Sequence, residues 1–393
     1  TQFLQGNVSG GDKSRTRYRG SMDVLMWLDT AKAGLWPGGA AYLHGDGRWD
    51  QGFSTDVGSL LPPIVDTTMP DGDSDASNWA LSEAYLMQGL PANFLAAAGK
   101  IDMAAWADTN MFANRERSQF LYTGLVSNAI AGVFFPYTTL GAWLNWSPTK
   151  AHSLTAVYTQ AEGSATVTGF DTLFNGNDSY AAQYIFTTEI AKRPGRYLLA
   201  GAYSTKDIVG FDVNQRFGIR VGIDPLEDIV IRVPELEEHT DNYTVLGNFA
   251  QYLWVKPGSV EAFNRRRKGK AHAALTHHNV PPVGIGIFGR AGWAPDDRNA
   301  IDQFYSFGIG GYGMLIPGRD ADQWGIGWAG SHISDDLRDL PVDLRSWEHG
   351  GEVFYNFLLT PAAHLSLNGQ IIRPADDTLD TAYTIGSRLQ LDF

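Results

Sequence analysis

Along residues 381–393, TAYTIGSRLQLDF, bulky apolar side chains fall at Tyr383, Ile385, Leu389, Leu391 and Phe393, with Thr384, Gly386, Arg388, Gln390 and Asp392 between them. A period of two is that of an extended strand with two unlike faces. The pattern recurs upstream. Leu365 and Leu367 alternate with His364, Ser366, Asn368 and Gln370, and Val353, Tyr355, Phe357 and Leu359 alternate with Glu352, Phe354, Asn356 and Leu358. In QWGIGWAG the residues Trp324, Ile326 and Trp328 alternate with glycines, and in VGIGIFGRAGW the set Val283, Ile285, Ile287 and Trp293 lies opposite Phe288 and Arg290. Further strand runs lie near 19–30, 40–49, 78–88, 92–102, 139–146, 152–160, 181–191, 195–205, 242–255 and 302–313. About fifteen strands result, without a long amphipathic helix, where an ordinary sheet has roughly five or six strands.

The links between these runs alternate in length. Counted back from the C-terminus they are long (373–379), short (TPAA), long (331–349), short (IPGRDA) and long (294–301); upstream, SPTK and KRPG are tight turns, and 161–180 and 206–241 are long. That is the pattern of a closed antiparallel transmembrane β-barrel in an outer membrane, with short periplasmic turns and long external loops. Such barrels have an even strand count, and an open edge in lipid leaves backbone groups unpaired. A short first strand at 3–8 is therefore expected, making about sixteen, with the first and last strands closing the sheet. The segment 256–282 departs from the alternation: it falls where a periplasmic turn belongs, yet it is long and basic. In this arrangement Leu389, Leu391 and Phe393 face acyl chains, and Arg388, Gln390 and Asp392 face a water-filled lumen. A soluble sandwich shows the same alternation with its apolar side inward. Strand number, link alternation and strands ending in Trp49, Trp146, Trp254 and Trp293, as an interfacial girdle requires, favour the membrane barrel.

Composition narrows the function. The formal net charge of −13 argues against a nucleic-acid partner, because neutralising phosphates takes an excess of Lys and Arg. With no Cys there is neither a disulfide framework nor a thiolate metal site. No apolar stretch reaches the roughly 18 residues of a transmembrane helix. Thr1 does not begin a signal peptide, so the expectation is an exported chain already processed.

Several stretches carry a family resemblance: FGRAGWAPDDRNAIDQFYSFGIGGYGMLIPGRDADQWGIGWAGSHIS (288–334), YRGSMDVLMWLDT (18–30), FANRERSQFL (112–121) and the terminal aromatic, in matching order over essentially the whole chain. Together they resemble the OprB family of carbohydrate-selective outer-membrane porins. The resemblance implies a single sixteen-stranded barrel over 1–393, passive diffusion of sugars, and external loops partly folded into the lumen to narrow it. The basic stretch NRRRKGKAHAALTHH stands out as an insertion.

A sugar channel needs planar donors and acceptors that exchange for water around hydroxyls, and no catalytic group. By alternation Tyr42, His44, Asp46 and Arg48 share a lumenal face, and Arg48, a fixed fork of donors, is the first candidate ligand. Glu83 shares the phase of Leu81, Tyr85 and Met87, which points it at lipid; a bulge or register change is expected to bring it inside, and its place in the family pattern agrees. Arg290, Glu352, Arg388 and Asp392 are lumenal by phase. Each is either a direct ligand or a lining group that sets solvation and field. The segment 103–138 is too long for a plain link. Its NMFANRERSQF stretch carries Asn110, Asn114, Arg115, Glu116, Arg117 and Gln119, and is expected either to fold inward as part of a constriction or to lie over the barrel mouth.

Other motifs read as bland. GIGGYG matches a dinucleotide fingerprint literally, but Pro317 and Gly318 follow at once and Ile309 continues a strand, so glycines packed on a lumenal face are expected. Asp71, Asp73 and Asp75 have calcium-loop spacing without the Gly and Glu that loop needs; a looser divalent bridge to lipopolysaccharide is the alternative to a solvated acidic loop. His272, His277 and His278 have no defined metal partner, and the Arg265–Lys268 run either meets periplasmic polymer or attracts anions to the lower lumen. No nucleophile elbow or Ser/His/Asp set stands in context, so neither a catalytic residue, a cofactor nor a resident metal is expected. The expected partners are sugars or similar polar solutes and the lipid and lipopolysaccharide of the bacterial outer membrane, with monomer and trimer both open. Two rival readings remain: a barrel lipid hydrolase, with a nucleophile beside a His at the lipid-facing rim, and a soluble carbohydrate-binding β protein.

Overall fold

The computed structural model describes residues 1–49, 54–65, 78–103, 108–163, 166–214, 218–222, 228–232, 235–267 and 281–393. Among them twenty strands form, and sixteen close into one antiparallel barrel. Its first nine strands are β1 (Gln2–Gly11), β2 (Thr16–Asp29), β3 (Gly39–Trp49), β4 (Asn78–Leu90), β5 (Phe94–Ile101), β6 (Thr139–Trp146), β7 (His152–Gln160), β8 (Asp178–Ile190) and β9 (Arg193–Ser204). The loop beyond β9 forms a ribbon of its own, with β10 (Ile208–Asn214) paired to β13 (Glu235–His239) and β11 (Gly218–Gly222) to β12 (Asp228–Arg232). Sequence reading takes 206–241 as a plain long link; its short apolar runs pair with each other and stay out of the barrel. The barrel resumes with β14 (Asn242–Val255), β15 (Gly284–Trp293), β16 (Ile301–Tyr312), β17 (Gln323–Ile333), β18 (Trp347–Thr360), β19 (Ala363–Arg373) and β20 (Asp380–Leu391).

Closure follows from β1, the first strand that parity demands, which spans ten residues, longer than the segment 3–8 expected. It pairs antiparallel with β2 on one side and with β20 on the other, from Gln2 opposite Leu389 to Gly11 opposite Asp380. No strand of the barrel is left with a free edge.

The two faces of each strand separate as the alternation requires. On β20 Tyr383, Ile385 and Leu391 are exposed on the outer wall, whereas Ala382, Thr384, Arg388 and Gln390 are buried on the inner one. Val353, Ile326, Phe307, Val245 and Leu199, each more than half exposed, continue the apolar outer band. Trp146, Trp254 and Trp293 lie exposed near strand ends, where an indole suits the lipid interface. A soluble sandwich would bury these side chains; here they surround the molecule.

The interior is polar on one wall and filled on the other. Segment 108–138 enters the bore and packs Phe112, Phe120, Tyr122, Leu125, Ile130 and Phe134 against inward side chains of the β14–β18 wall, among them Tyr252, Phe288, Phe304, Tyr312 and Phe354. Each such burial contributes about 1.5–3 kcal/mol. The glycines of VGIGIFGRAGW, GIGGYG and QWGIGWAG supply the room. A Cβ at Gly286 would stand 2.3 Å from Phe112, one at Gly310 2.9 Å from the same residue, and one at Gly325 2.7 Å from Phe120. Bare backbone on the lumenal face lets the loop's rings lie flush on the wall. Segment 54–65 enters alongside, burying Val57, Leu61 and Ile64 in the same cluster.

On the end that carries both chain termini, the β14–β15 link contains a helix, Ser259–Arg267, in the basic insertion. The acidic triplet Asp71, Asp73 and Asp75, the histidines 272, 277 and 278, and the side chains of Arg265 to Lys268 lie outside the described residues.

Candidate functional site

Each lumenal candidate gets its position from strand phase plus one irregularity. His44, Asp46 and Arg48 alternate inward along β3, all buried, with Gly45 and Gly47 between them, while Leu43 just before them points out. On β4, Trp79 and Leu81 face outward; the pairing of β3 with β4 then shifts register between His44 and Gly45, opposite Glu83 and Leu81. Ser82 takes up the extra residue, donating its hydroxyl to the carbonyl of His44 at 3.1 Å. Glu83 and Tyr85 consequently point inward and are buried.

Two charged groupings result. His44 bridges two carboxylates, with Nδ1 3.0 Å from Glu83 and Nε2 2.8 Å from Asp23 of β2. Arg117 of the inserted loop reaches the same Asp23 carboxylate from across the bore, and Glu83 also accepts the backbone N–H of Asp102 at 3.2 Å. One residue pair further toward the external mouth, Arg48 donates to Asp46 through Nε at 3.1 Å and Nη2 at 2.8 Å. Tyr137 at the loop's far end joins this pair: its hydroxyl donates to Asp46 at 3.0 Å, and its ring lies 5.3 Å from the Arg48 guanidinium. Below the His44 grouping, Trp27, Tyr42 and Tyr85 form an aromatic row, with centroids 6.0 and 5.0 Å apart.

The loop crosses the bore and is fastened to both walls. Asn110 donates to Asn248 of β14 at 2.7 Å and to the carbonyl of Phe249 at 2.9 Å, and its own backbone N–H is taken by Asn114 Oδ1 at 2.7 Å. Arg290 on β15, its side chain fully buried, donates to the Asp108 carboxylate at 2.8 Å and to the carbonyls of Ala113, Leu125 and Val126 at 2.5, 2.9 and 2.9 Å. Glu352 on β18 accepts the backbone N–H groups of Leu121 and Tyr122 at 3.0 and 2.7 Å. Arg388 on β20 donates to the Gln119 carbonyl at 3.0 Å and to that of Glu116. These three side chains face the lumen as their phase requires, and their polar groups are engaged by loop backbone.

The candidates therefore divide. His44, Glu83 and Arg117 converge on one ionic row, Arg48 and Asp46 on a second, and Arg115 stands exposed in the loop with no hydrogen bond to its guanidinium among the described residues. Asn110, Asn114, Arg290, Glu352 and Arg388 secure the loop. Sequence reading passes over Asp23, Tyr137, Asp108 and Asn248. Asp23 carries a legible signal, a carboxylate in the otherwise apolar run Met22 to Leu28. The other three are fixed by tertiary approach of loop to wall.

The profile of the family described as Carbohydrate-selective porin, OprB family, matches residues 13–393. No curated protein matches the chain in sequence. Among solved structures, the high-pH structure of Pseudomonas putida OprB is similar with a TM-score of 0.78 at 16% identity, covering 100% of this chain and 92% of that one. The low-pH structure of the same protein gives 0.57 at 13% identity, covering 100% and 90%. The outer membrane channel DcaP of Acinetobacter baumannii gives 0.50 at 9% identity, covering 100% and 94%. At these identities the structural likeness establishes the fold, the sixteen-stranded porin barrel.

Proposed function

This chain belongs to the OprB family of carbohydrate-selective porins, and we propose that its selectivity resides in the Asp23–His44–Glu83–Arg117 row together with the exposed Arg115. The protein is a passive carbohydrate channel of the bacterial outer membrane, not an enzyme. One observation carries the assignment of the site: the inserted loop fills the β14–β18 side of the bore, which leaves the opposite wall for solute, and on β2–β4 of that wall lie the row and the Trp27, Tyr42 and Tyr85 rings.

The arrangement suits a sugar. Carboxylates accept from hydroxyls, the guanidinium of Arg115 donates to them, and aromatic faces take the C–H side of a pyranose ring. Because the charged groups already satisfy one another, a passing hydroxyl exchanges with existing hydrogen bonds and leaves again, which conduction requires. Arg48 acts with Asp46 and Tyr137 as an upper ring at the external side. Arg290, Glu352 and Arg388 hold the loop and do not meet solute. Outside the barrel, lipid and lipopolysaccharide contact the apolar band; detergent-corrected mass by light scattering distinguishes a monomer from a trimer.

Liposome swelling with a graded sugar series tests the site. Native protein is expected to pass monosaccharides faster than trisaccharides, and Arg115→Ala together with Glu83→Gln to weaken sugar block of single-channel current. Unchanged block in both variants would refute the assignment.

A further inference from the structure

Toward the periplasmic end of the bore, past the ionic row, the β5–β9 wall contains a cavity of about 300 Å³ that the pathway above does not use. Its floor comes from inward positions close to the short turns: Leu95 is the second residue of β5, and Asn145 and Thr155 are paired across β6 and β7. Its roof is Met103 and Thr109, from the beginning of the inserted loop. The volume is at the lower end of the roughly 300–1,000 Å³ typical of small-molecule sites.

The lining is mostly apolar with a polar row through it. Leu95, Trp143 and Val157 make one apolar patch, Trp143 packing with Tyr85, Ala97, Ile101 and Met103, and Ile185 is a second apolar group on the other side of the cross-strand row Asn145, Thr155 and Gln183. The amide of Gln183 has no hydrogen bond among the described residues, and Arg196 uses Nη1 on Thr109. Asn145 donates to Thr155 at 2.9 Å, leaving that hydroxyl's own proton for a ligand. An aqueous bore that only conducts needs no apolar concavity at this depth. Burying apolar ligand area in it is favourable, and a lone hexose offers only its C–H face, whereas an apolar substituent covers the rest of the apolar lining.

We infer that this cavity is a second solute site on the exit side of the channel, taking glycosides that carry an apolar substituent, with the substituent between the Leu95–Trp143–Val157 patch and Ile185 and the sugar hydroxyls toward Gln183 and Arg196. The inference rests on the reading of the bore as a sugar pathway and adds a ligand class to it. Tyr85 of the Trp27–Tyr42–Tyr85 row packs with Trp143, so the two sites adjoin; Gln183 and Ile185 on β8 lie outside that cluster, and substitutions there separate them.

The experiment is single-channel recording in planar bilayers with p-nitrophenyl β-glucoside or glucose added to either side. The glycoside is expected to block with a residence time about tenfold longer than glucose, more readily from the periplasmic side. Ile185→Asn or Val157→Asn should bring it down to the glucose value, and Gln183→Leu should shorten it severalfold while preserving the apolar preference. Heat-modifiable gel migration confirms that each variant is a closed barrel. Equal residence times for the two compounds in the native protein, or an aglycone effect that survives both Asn substitutions, would overturn the site. Failure of glucose to permeate native protein in liposome swelling counts instead against the sugar pathway, and the glycoside block still reads the cavity.

Discussion

Arg290→Met tests whether the inserted loop is secured by the wall behind it. Methionine keeps an unbranched apolar stem and removes every donor. What is lost is defined: the 2.8 Å ion pair with Asp108 and the bonds to the carbonyls of Ala113, Leu125 and Val126, all made by a side chain with no solvent exposure. Removing one partner of a buried charged network typically costs 3–5 kcal/mol, because the groups left behind stay desolvated. At about 1.4 kcal/mol per factor of ten, the balance between seated and displaced loop shifts by roughly two to three and a half powers of ten. The barrel itself is held by ladders that the substitution does not touch. The expectation is a closed, heat-modifiable barrel with frequent excursions to higher single-channel conductance and faster entry of trisaccharides. Arg290→Lys, with the charge but not the fork, should fall between. A variant that folds and matches native conductance, current noise and trisaccharide exclusion would refute the reasoning.

Further outcomes follow from other features of the bore. Gly286→Ala places a Cβ 2.3 Å from the Phe112 ring and 2.7 Å from the Gln251 carbonyl, so it should displace the loop without removing any polar group, raising current noise, and Gly286→Val should do so more; the overpacking is worth about 1–3 kcal/mol. Asp23→Asn leaves Arg117 and His44 with one anion fewer; an ion passing about 8 Å away in a water-like medium feels about 0.5 kcal/mol, roughly a twofold shift toward anions in reversal-potential measurements. On the β16–β17 turn, burial acts to raise the pKa of Asp322, but hydrogen bonds from Arg319, the Leu358 N–H and the Tyr355 hydroxyl outweigh it and hold the carboxyl below its usual value. A depressed carboxyl stabilises the folded state above the ordinary range near 4 and loses that contribution as pH falls through the lower folded value. Thermal unfolding of native protein and Asp322→Asn in detergent should therefore differ at neutral pH and converge in strong acid; a constant gap would count against the staple.

Much of the barrel was legible before any coordinates because a two-residue period is a local property that every strand repeats. Tyr383, Ile385 and Leu391 had to share a face whatever the register, and strand parity required β1. Glu83 was readable only as a conflict, a carboxylate in the phase of Leu81. The slip at His44/Gly45 resolves it, since an unpaired charge in lipid costs more than one bulged residue. The ribbon β10–β13 was not legible, because short apolar runs do not say whether they join a large sheet or pair with each other.

The division between lining and scaffold was decided by tertiary structure alone. Sequence phase placed Arg48, Arg290, Glu352 and Arg388 equally in the lumen, but their roles depend on where a loop more than a hundred residues distant from three of them settles. The loop carbonyls claim Arg290 and Arg388, and the N–H groups of Leu121 and Tyr122 claim Glu352. Alternation fixes which way a side chain points at a cost shared by the whole strand. What it meets there is set by long-range packing, and the glycines that admit Phe112 and Phe120 to the wall acquire that meaning only once the loop is in the bore.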